Sequence, residues 1–173
     1  MSNHSWDDND RPLAFLITFR THGTWLHGDE RQSVDRHGKN IYGTPKVLAS
    51  RNLKTLMEEN AGSSESLLSG RLRGVVEGAI REVCRIRGYG LLAINARTNH
   101  VHVVVIAAIS KPESVMNAFK AYATRALRAA KLVGGDESVW ARGGSTRYLW
   151  KDHHVEGAVH YVLYAQGEDL PKF

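Results

Sequence analysis

The spacing of apolar residues in the first half of the chain predicts a strand, a long loop and two helices. Residues 13–20, LAFLITFR, form a short apolar run typical of a core strand. Residues 22–45 are rich in Gly and His without a period, and loops of that length in a compact domain are often functional. A weak helical pattern covers 48–59. A stronger one covers 71–88 and ends at Gly88, with apolar positions at Leu72, Val75, Val76, Ala79, Ile80, Val83 and Ile86.

The second half of the chain has a clearer pattern. Residues 90–98 and 99–108 predict two strands joined by a tight turn. An amphipathic helix is expected to begin at Pro112 and to be closed by the two glycines at 134–135. Residues 146–150, TRYLW, predict a short strand, and 153–166, HHVEGAVHYVLYAQ, predict a final helix.

These elements follow the order β-α-β-β-α-β-α. This order fits an α+β fold of the ferredoxin-like, split βαβ type, in which a central antiparallel sheet carries helices on one face. No repeat or low-complexity segment interrupts the chain, so we expect a single domain over residues 1–173, with 1–11 as a flexible tail.

Composition and charge narrow the class of protein. The 173 residues are 42% hydrophobic and 24% charged, as in an ordinary globular domain, and the net charge is +5. A basic surface favours a polyanion such as nucleic acid, although a basic enzyme of another kind would share it. Cys84 is the sole cysteine, which excludes a disulfide framework and a multi-cysteine zinc site. Without a signal peptide or an apolar run of about 20 residues, we expect a cytoplasmic protein with no membrane contact.

Two histidines stand out inside an apolar strand, in the sequence TNHVHVVV at 98–105. Side chains alternate along a strand, so His100 and His102 share one face while Val101 and Val103 occupy the other. Two imidazoles on one face can converge on a divalent cation. Two histidines on a half-exposed strand would give the same pattern, so the motif alone is weak.

The wider sequence resembles a known family. Asn99-His100-Val101-His102, on a central strand of this element order, resembles the HUH (His-hydrophobic-His) nucleases. The segments ITFRTHGTWLHGD, NHVHVVV, MNAFKAYATRALR and VWARGGSTRYLW extend the likeness over nearly the whole chain. It is to the single-tyrosine HUH transposases, which include insertion-sequence transposases and REP-associated tyrosine transposases.

The resemblance implies a particular chemistry. It implies that His100 and His102 hold a catalytic divalent metal, Mg²⁺ or Mn²⁺, and that a tyrosine on the last helix attacks single-stranded DNA. The tyrosine then becomes linked to the 5′ phosphate. Tyr161 aligns with the family's nucleophile, and Tyr164, one turn on, is the alternative. The implied partner is single-stranded or hairpin DNA, and the chain acts as one copy or as a homodimer.

The third metal ligand departs from the family pattern. The resemblance places a Gln or Asn four residues after the nucleophile, where this chain has Ala165, while Gln166 lies five residues on. Five positions in an ideal helix turn a side chain by about 140°. We therefore predict that Gln166 is a ligand and that a π-type turn realigns it with Tyr161. If the helix is regular through this position, either Gln166 or Tyr161 must be reassigned.

Several cations are candidates for contacts with DNA phosphates. A solvated basic helix face would present the same residues, and both interpretations stay open. The candidates are Lys120, Arg125, Arg128, Lys131, Arg142 and Arg147.

Two functions remain for the whole chain. The first is a transposase that cuts and joins hairpin-bearing single-stranded DNA. The second is a domesticated descendant that binds DNA hairpins without cutting them. The presence of His100, His102 and Tyr161 favours the first, because a retired nuclease would be free to lose them.

Overall fold

The computed structural model describes residues 11–23, 33–34, 46–47 and 67–170. The 1–11 tail apart from Arg11, most of the 22–45 loop and the predicted 48–59 helix lie outside these residues. The elements within them are β1 (Ala14–Arg20), β2 (Ser33–Val34), β3 (Lys46–Val47), α1 (Gly70–Arg87), β4 (Gly90–Ala96), β5 (His100–Ile106), α2 (Pro112–Ala129), β6 (Ser145–Leu149) and α3 (Asp152–Tyr164).

A four-stranded antiparallel sheet organises the fold. Its strand order is β4-β5-β1-β6, so the first and third long strands along the chain lie in the centre. β2 and β3 pair with each other in a separate two-stranded ladder. The predicted α+β, ferredoxin-like arrangement is confirmed, with the β-α-β-β-α-β-α order for the longer elements.

The larger core lies between one face of the sheet and helices α1 and α2. Ile17, Phe19, Val101 and Val103 point into it from the two central strands and are fully buried. The helices meet them with a further apolar set: Val76, Ile80, Val83, Val115, Phe119, Ala123 and Leu127.

Helix α3 covers the opposite face, so the prediction that the helices share one face is wrong. Its buried residues Ala158 and Val162 pack on the other side of the same strands, against a smaller cluster. That cluster is completed by Ala14, Leu16, Ala93, Val104 and Leu149. The element order alone does not say on which face a helix after the last strand will lie.

Two details of the helices differ from the prediction. Ile86 was assigned to the apolar stripe of α1 but is 52% exposed, because it lies in the last turn, next to the left-handed Gly88 that ends the helix. Helix α2 ends at Ala129 rather than at the two glycines, because Lys131 adopts a left-handed conformation with φ 55°. Among the described residues, we find no helix with the length and apolar character needed to cross a membrane.

Candidate active site

Polar side chains form two rows across the three strands beneath the C-terminal half of α3. In the first row, Thr18 of β1 and Asn95 of β4 pair on either side of His102. In the second, Arg20 pairs with His100, and the Arg97 N–H donates to the His100 carbonyl at 2.8 Å across the hairpin turn. Because directly paired residues of a sheet point to the same face, both rows face α3.

The two histidines are oriented through their Nδ1 atoms. His100 Nδ1 donates to Asn99 Oδ1 at 2.6 Å, and His102 Nδ1 lies 2.7 Å from Thr18 Oγ1. Their ring centroids are 4.6 Å apart. A hydrogen bond on one ring nitrogen leaves the other for a metal, so in this arrangement a metal would be bound through the two Nε2 atoms.

His102 is held in its neutral form. The pKa of His102 is lowered to about 3, mainly by burial and in smaller part by the charges of His100, Arg20 and Arg97. A hydrogen bond with the Gln166 side chain acts in the opposite direction. At neutral pH the imidazole is therefore uncharged, which is the form that binds a metal.

Tyr161 lies over the histidine pair. Its ring centroid is 5.4 Å from that of His102, and 39% of the residue is exposed, so a DNA strand can reach the phenol. Asn95 Nδ2 donates to the Val162 carbonyl at 2.9 Å, which fixes α3 to β4 one residue beyond Tyr161. Tyr164 is 73% exposed and packs beside His160, and Tyr122 packs against the larger core.

Gln166 lies beside His102, but the backbone that carries it differs from the predicted π-type turn. Helix α3 ends at Tyr164, and the Ala165 N–H donates to the Tyr161 carbonyl in the ordinary α-helical pattern, so the predicted π-type turn is wrong. The chain leaves the helix before Gln166. The amide Nε2 donates to the Tyr161 carbonyl at 3.0 Å, and the Gln166 side chain also forms a hydrogen bond with His102.

The donor set fits a divalent ion that accepts nitrogen and oxygen ligands. Two imidazoles and one side-chain amide lie together, and they offer nitrogen and oxygen donors of the kinds that Mg²⁺ and Mn²⁺ accept. The part of the chain that the structure describes contains no group of three or more His, Cys, Asp or Glu side chains placed to hold a metal. A site built from His100, His102 and Gln166 has only two ligands of those types.

The six candidate DNA-contact residues do not lie on one surface. Lys120 donates through Nζ to the carbonyls of Ala141 and Gly143, so it ties the loop before β6 to α2. Arg125 and Arg128 line a shallow groove on α2, with Lys120, Asn117, Ala121, Thr124 and Ala129. This groove is on the far side of the sheet from the histidines.

The other three cations are dispersed. Lys131 and Arg142 are exposed, just beyond α2 and in the loop before β6. Arg147 pairs with Leu16 and therefore points to the face that carries the histidines. Arg147 is thus the candidate that shares a face with the proposed metal ligands.

Sequence reasoning missed five residues of the site: Thr18, Arg20, Asn95, Arg97 and Asn99. Thr18, Arg20, Asn95 and Arg97 gave no signal in the sequence, because each becomes important only through its cross-strand position, whereas Asn99 contacts His100, which follows it in the chain. The register of β1 and β4 against β5 would have identified Thr18, Arg20 and Asn95, since each is opposite one of the histidines.

Comparison with known proteins shows the family to which the chain belongs. A solved REP-associated tyrosine transposase bound to a REP hairpin aligns with a TM-score of 0.46 and 12% identity. The alignment covers 88% of this chain and 65% of the length of that one. No curated protein matches the chain. The family described as transposase IS200-like matches residues 62–157, more than half of the 173 residues. The resemblance read from the sequence is confirmed, and the chain belongs to the IS200-like transposase family.

Proposed function

We propose that the chain is a metal-dependent single-stranded DNA endonuclease and strand transferase that acts through Tyr161. The observation that carries the proposal is the convergence of Tyr161, His100, His102 and Gln166 on one face of the sheet. The four residues lie together within a single copy of the chain, which supports an active site built in one copy. A homodimer and a location at the cytoplasmic nucleoid stay predictions.

Tyr161 supplies the nucleophile. Its phenolic oxygen attacks the phosphorus, the Oη–P bond forms as the P–O3′ bond breaks, the phenolic proton leaves, and the 3′ oxygen takes up a proton. The product is a 5′-phosphotyrosine ester beside a free 3′ hydroxyl. Because the ester conserves the energy of the phosphodiester, the same or another 3′ hydroxyl can attack it and rejoin the strand.

His100, His102 and Gln166 are the residues that would hold the metal. A bound Mg²⁺ or Mn²⁺ would offset the charge that develops on the phosphate oxygens. Thr18 and Asn99 keep the two imidazoles turned so that Nε2 faces the ion. The hydrogen bond from Asn95 to the Val162 carbonyl keeps the nucleophile over the pair.

Two basic surfaces are available to DNA. Arg147 lies on the face of the active site, where the cleaved strand would pass. Arg125 and Arg128 lie in the groove on α2, behind the sheet, and would contact a different part of the DNA. A hairpin substrate is the expectation set by the family resemblance.

Covalent capture tests the proposal. A labelled library of single-stranded hairpins is incubated with the protein and Mg²⁺ or Mn²⁺, then separated on a denaturing gel. We expect a labelled adduct that disappears in EDTA and falls by at least about 10⁴-fold in Tyr161→Phe. Tyr164→Phe, one turn away and exposed, is the matched control and should form the adduct normally.

The alternatives give different results in the same assay. An adduct lost in Tyr164→Phe but not in Tyr161→Phe would transfer the nucleophile to the outer tyrosine. Tight hairpin binding without any adduct across the library would favour the domesticated, non-catalytic binder.

A further inference from the structure

The second polar row of the site contains two arginines, one on each side of His100. Arg20, on β1, lies on one side of His100, and Arg97, just after the end of β4, lies on the other side. Adjacent strands lie about 4.8 Å apart, so the backbones that carry the two arginines are separated by about 10 Å with the histidine between them. Two arginines on this face therefore flank a proposed metal ligand.

Both charges act within the site. Arg20 pairs with His100 across β1 and β5, on the face that carries His102. Arg97 also lies beside the segment that carries the third proposed ligand, because its Nη2 is 3.8 Å from the point where a Cβ on Gly167 would lie. Each arginine is half-buried, so its guanidinium acts in surroundings less polar than bulk water, where electrostatic attraction is stronger.

We propose that Arg20 and Arg97 form a phosphodiester-binding subsite that holds the DNA backbone on both sides of His100. Arginine presents a planar fork of N–H donors that matches phosphate oxygens, and two forks on either side of the scissile phosphate fix the direction in which the strand crosses the sheet. The subsite rests on the proposed function, since it positions the phosphate that Tyr161 attacks. It is separate from the groove on α2, which lies on the opposite side of the sheet.

The test measures DNA binding without chemistry. All proteins carry Tyr161→Phe, EDTA is present, and the probe is a pool of short labelled single-stranded oligonucleotides of random sequence. Fluorescence anisotropy gives the dissociation constant over a range of NaCl concentrations. The variants are Arg20→Gln, Arg97→Gln and the double substitution. Arg85→Gln, exposed on α1 behind the sheet, is the matched control for the loss of one charge.

Each lost phosphate contact should reduce the slope of log affinity against log salt by about 0.7, so the double variant should lose about 1.4. Arg85→Gln should keep the wild-type slope. Arg20→Lys with Arg97→Lys retains both charges and should restore most of the slope, which a folding defect would not do.

Local contact is read from the imidazole signals of His100 in NMR spectra. Addition of the oligonucleotides should shift them in the Tyr161→Phe protein and not in the double glutamine variant. A double variant whose slope equals that of Arg85→Gln would overturn the subsite. This result can be told apart from failure of the proposed function. If no covalent adduct formed but the arginine substitutions still weakened DNA binding, the nuclease activity would be rejected and the phosphate-binding subsite would stand.

Discussion

The two faces of the sheet are built from alternate residues of the same strands, and they differ in what they can tolerate. The face beneath α1 and α2 is apolar along its length and closed from solvent. The face beneath α3 is apolar at one end, around Leu16 and Val104, and polar at the other, around His100 and His102. One helix covers it, with His102 buried beneath the helix and Tyr161 partly exposed.

The difference shows how this fold separates stability from chemistry. The larger core stabilises the strands in a fixed register, and the opposite face uses that register to hold side chains in rows. A substitution on the first face should therefore change the free energy of unfolding, and one among the polar rows of the second face should mainly change binding.

The largest expected effect compares two neighbouring residues of β1. Ile17→Ala removes a fully buried side chain from the larger core, and Leu16→Ala removes a 5% exposed one from the smaller cluster. We expect a loss of about 4 kcal/mol in the free energy of unfolding for the first and about 2 kcal/mol for the second, because the smaller cluster can relax. Urea unfolding measures both. Equal losses would contradict the proposed contrast.

A smaller effect concerns metal affinity. Thr18→Val keeps the shape of the side chain but removes the hydroxyl that contacts His102 Nδ1. Loss of an outer partner of a metal-binding histidine typically weakens binding by 10- to 100-fold, and we expect a decrease of about that size for Mn²⁺. Calorimetric titration measures it. Thr124→Val, which removes a hydroxyl on α2, should bind Mn²⁺ like the wild type.

The next prediction concerns how the free energy of unfolding of the metal-free protein depends on pH, and it concerns the polar face alone. The unfolded state takes up a proton on His102 near its ordinary pKa of 6.5, whereas the folded state does so near 3, so stability is present above pH 6.5 and falls as the pH decreases towards 3. The loss at about pH 5 should be on the order of 2 kcal/mol. Urea unfolding in EDTA at several pH values measures it.

The control for this experiment is an exposed histidine. His102→Gln should remove that part of the pH dependence, and His160→Gln should leave it unchanged. If both variants kept the wild-type pH dependence, the burial of a neutral His102 would not be its source.

The smallest effect concerns the connection between α2 and β6. A Cβ on Gly144 would lie 2.5 Å from both the Thr18 carbonyl oxygen and Met116 Sδ, so Gly144→Ala should destabilise the protein by about 1–2 kcal/mol. Gly78→Ala is the matched substitution, because nothing lies within 4 Å of its Cβ in the exposed part of α1. It should stabilise by about 0.5–1 kcal/mol. Thermal unfolding that shows the same sign for both would contradict the close packing at Gly144.

Local patterns in the sequence were enough to predict the long elements and the shared face of His100 and His102. Apolar periodicity defined α1 and α2, and alternation defined β5, since both depend on residues close in sequence. The position of α3 on the opposite face was not predictable in this way. It depends on the length of the connection after β6 and on which face of the sheet is still uncovered.

The site shows the same limit. Tyr161 and the histidines were found from a motif, but Arg20 and Arg97 became visible only when the strands were placed side by side. Gln166 was identified as a candidate ligand, but its predicted orientation was wrong, because the prediction assumed that the helix continues to residue 166. In this chain the helix ends at Tyr164, and the position of Gln166 is set by the backbone that follows.

The alternation of side chains along β5 also links correct folding to formation of the candidate active site. The valines at 101, 103 and 105 fill the larger core, and the histidines at 100 and 102 face the other way. A slip of one residue in the pairing of β5 would place both imidazoles in an apolar interior and expose the valines, which is strongly unfavourable. Misfolded copies would therefore lack the pair altogether, and a chain able to cut DNA would be one whose core had already formed correctly.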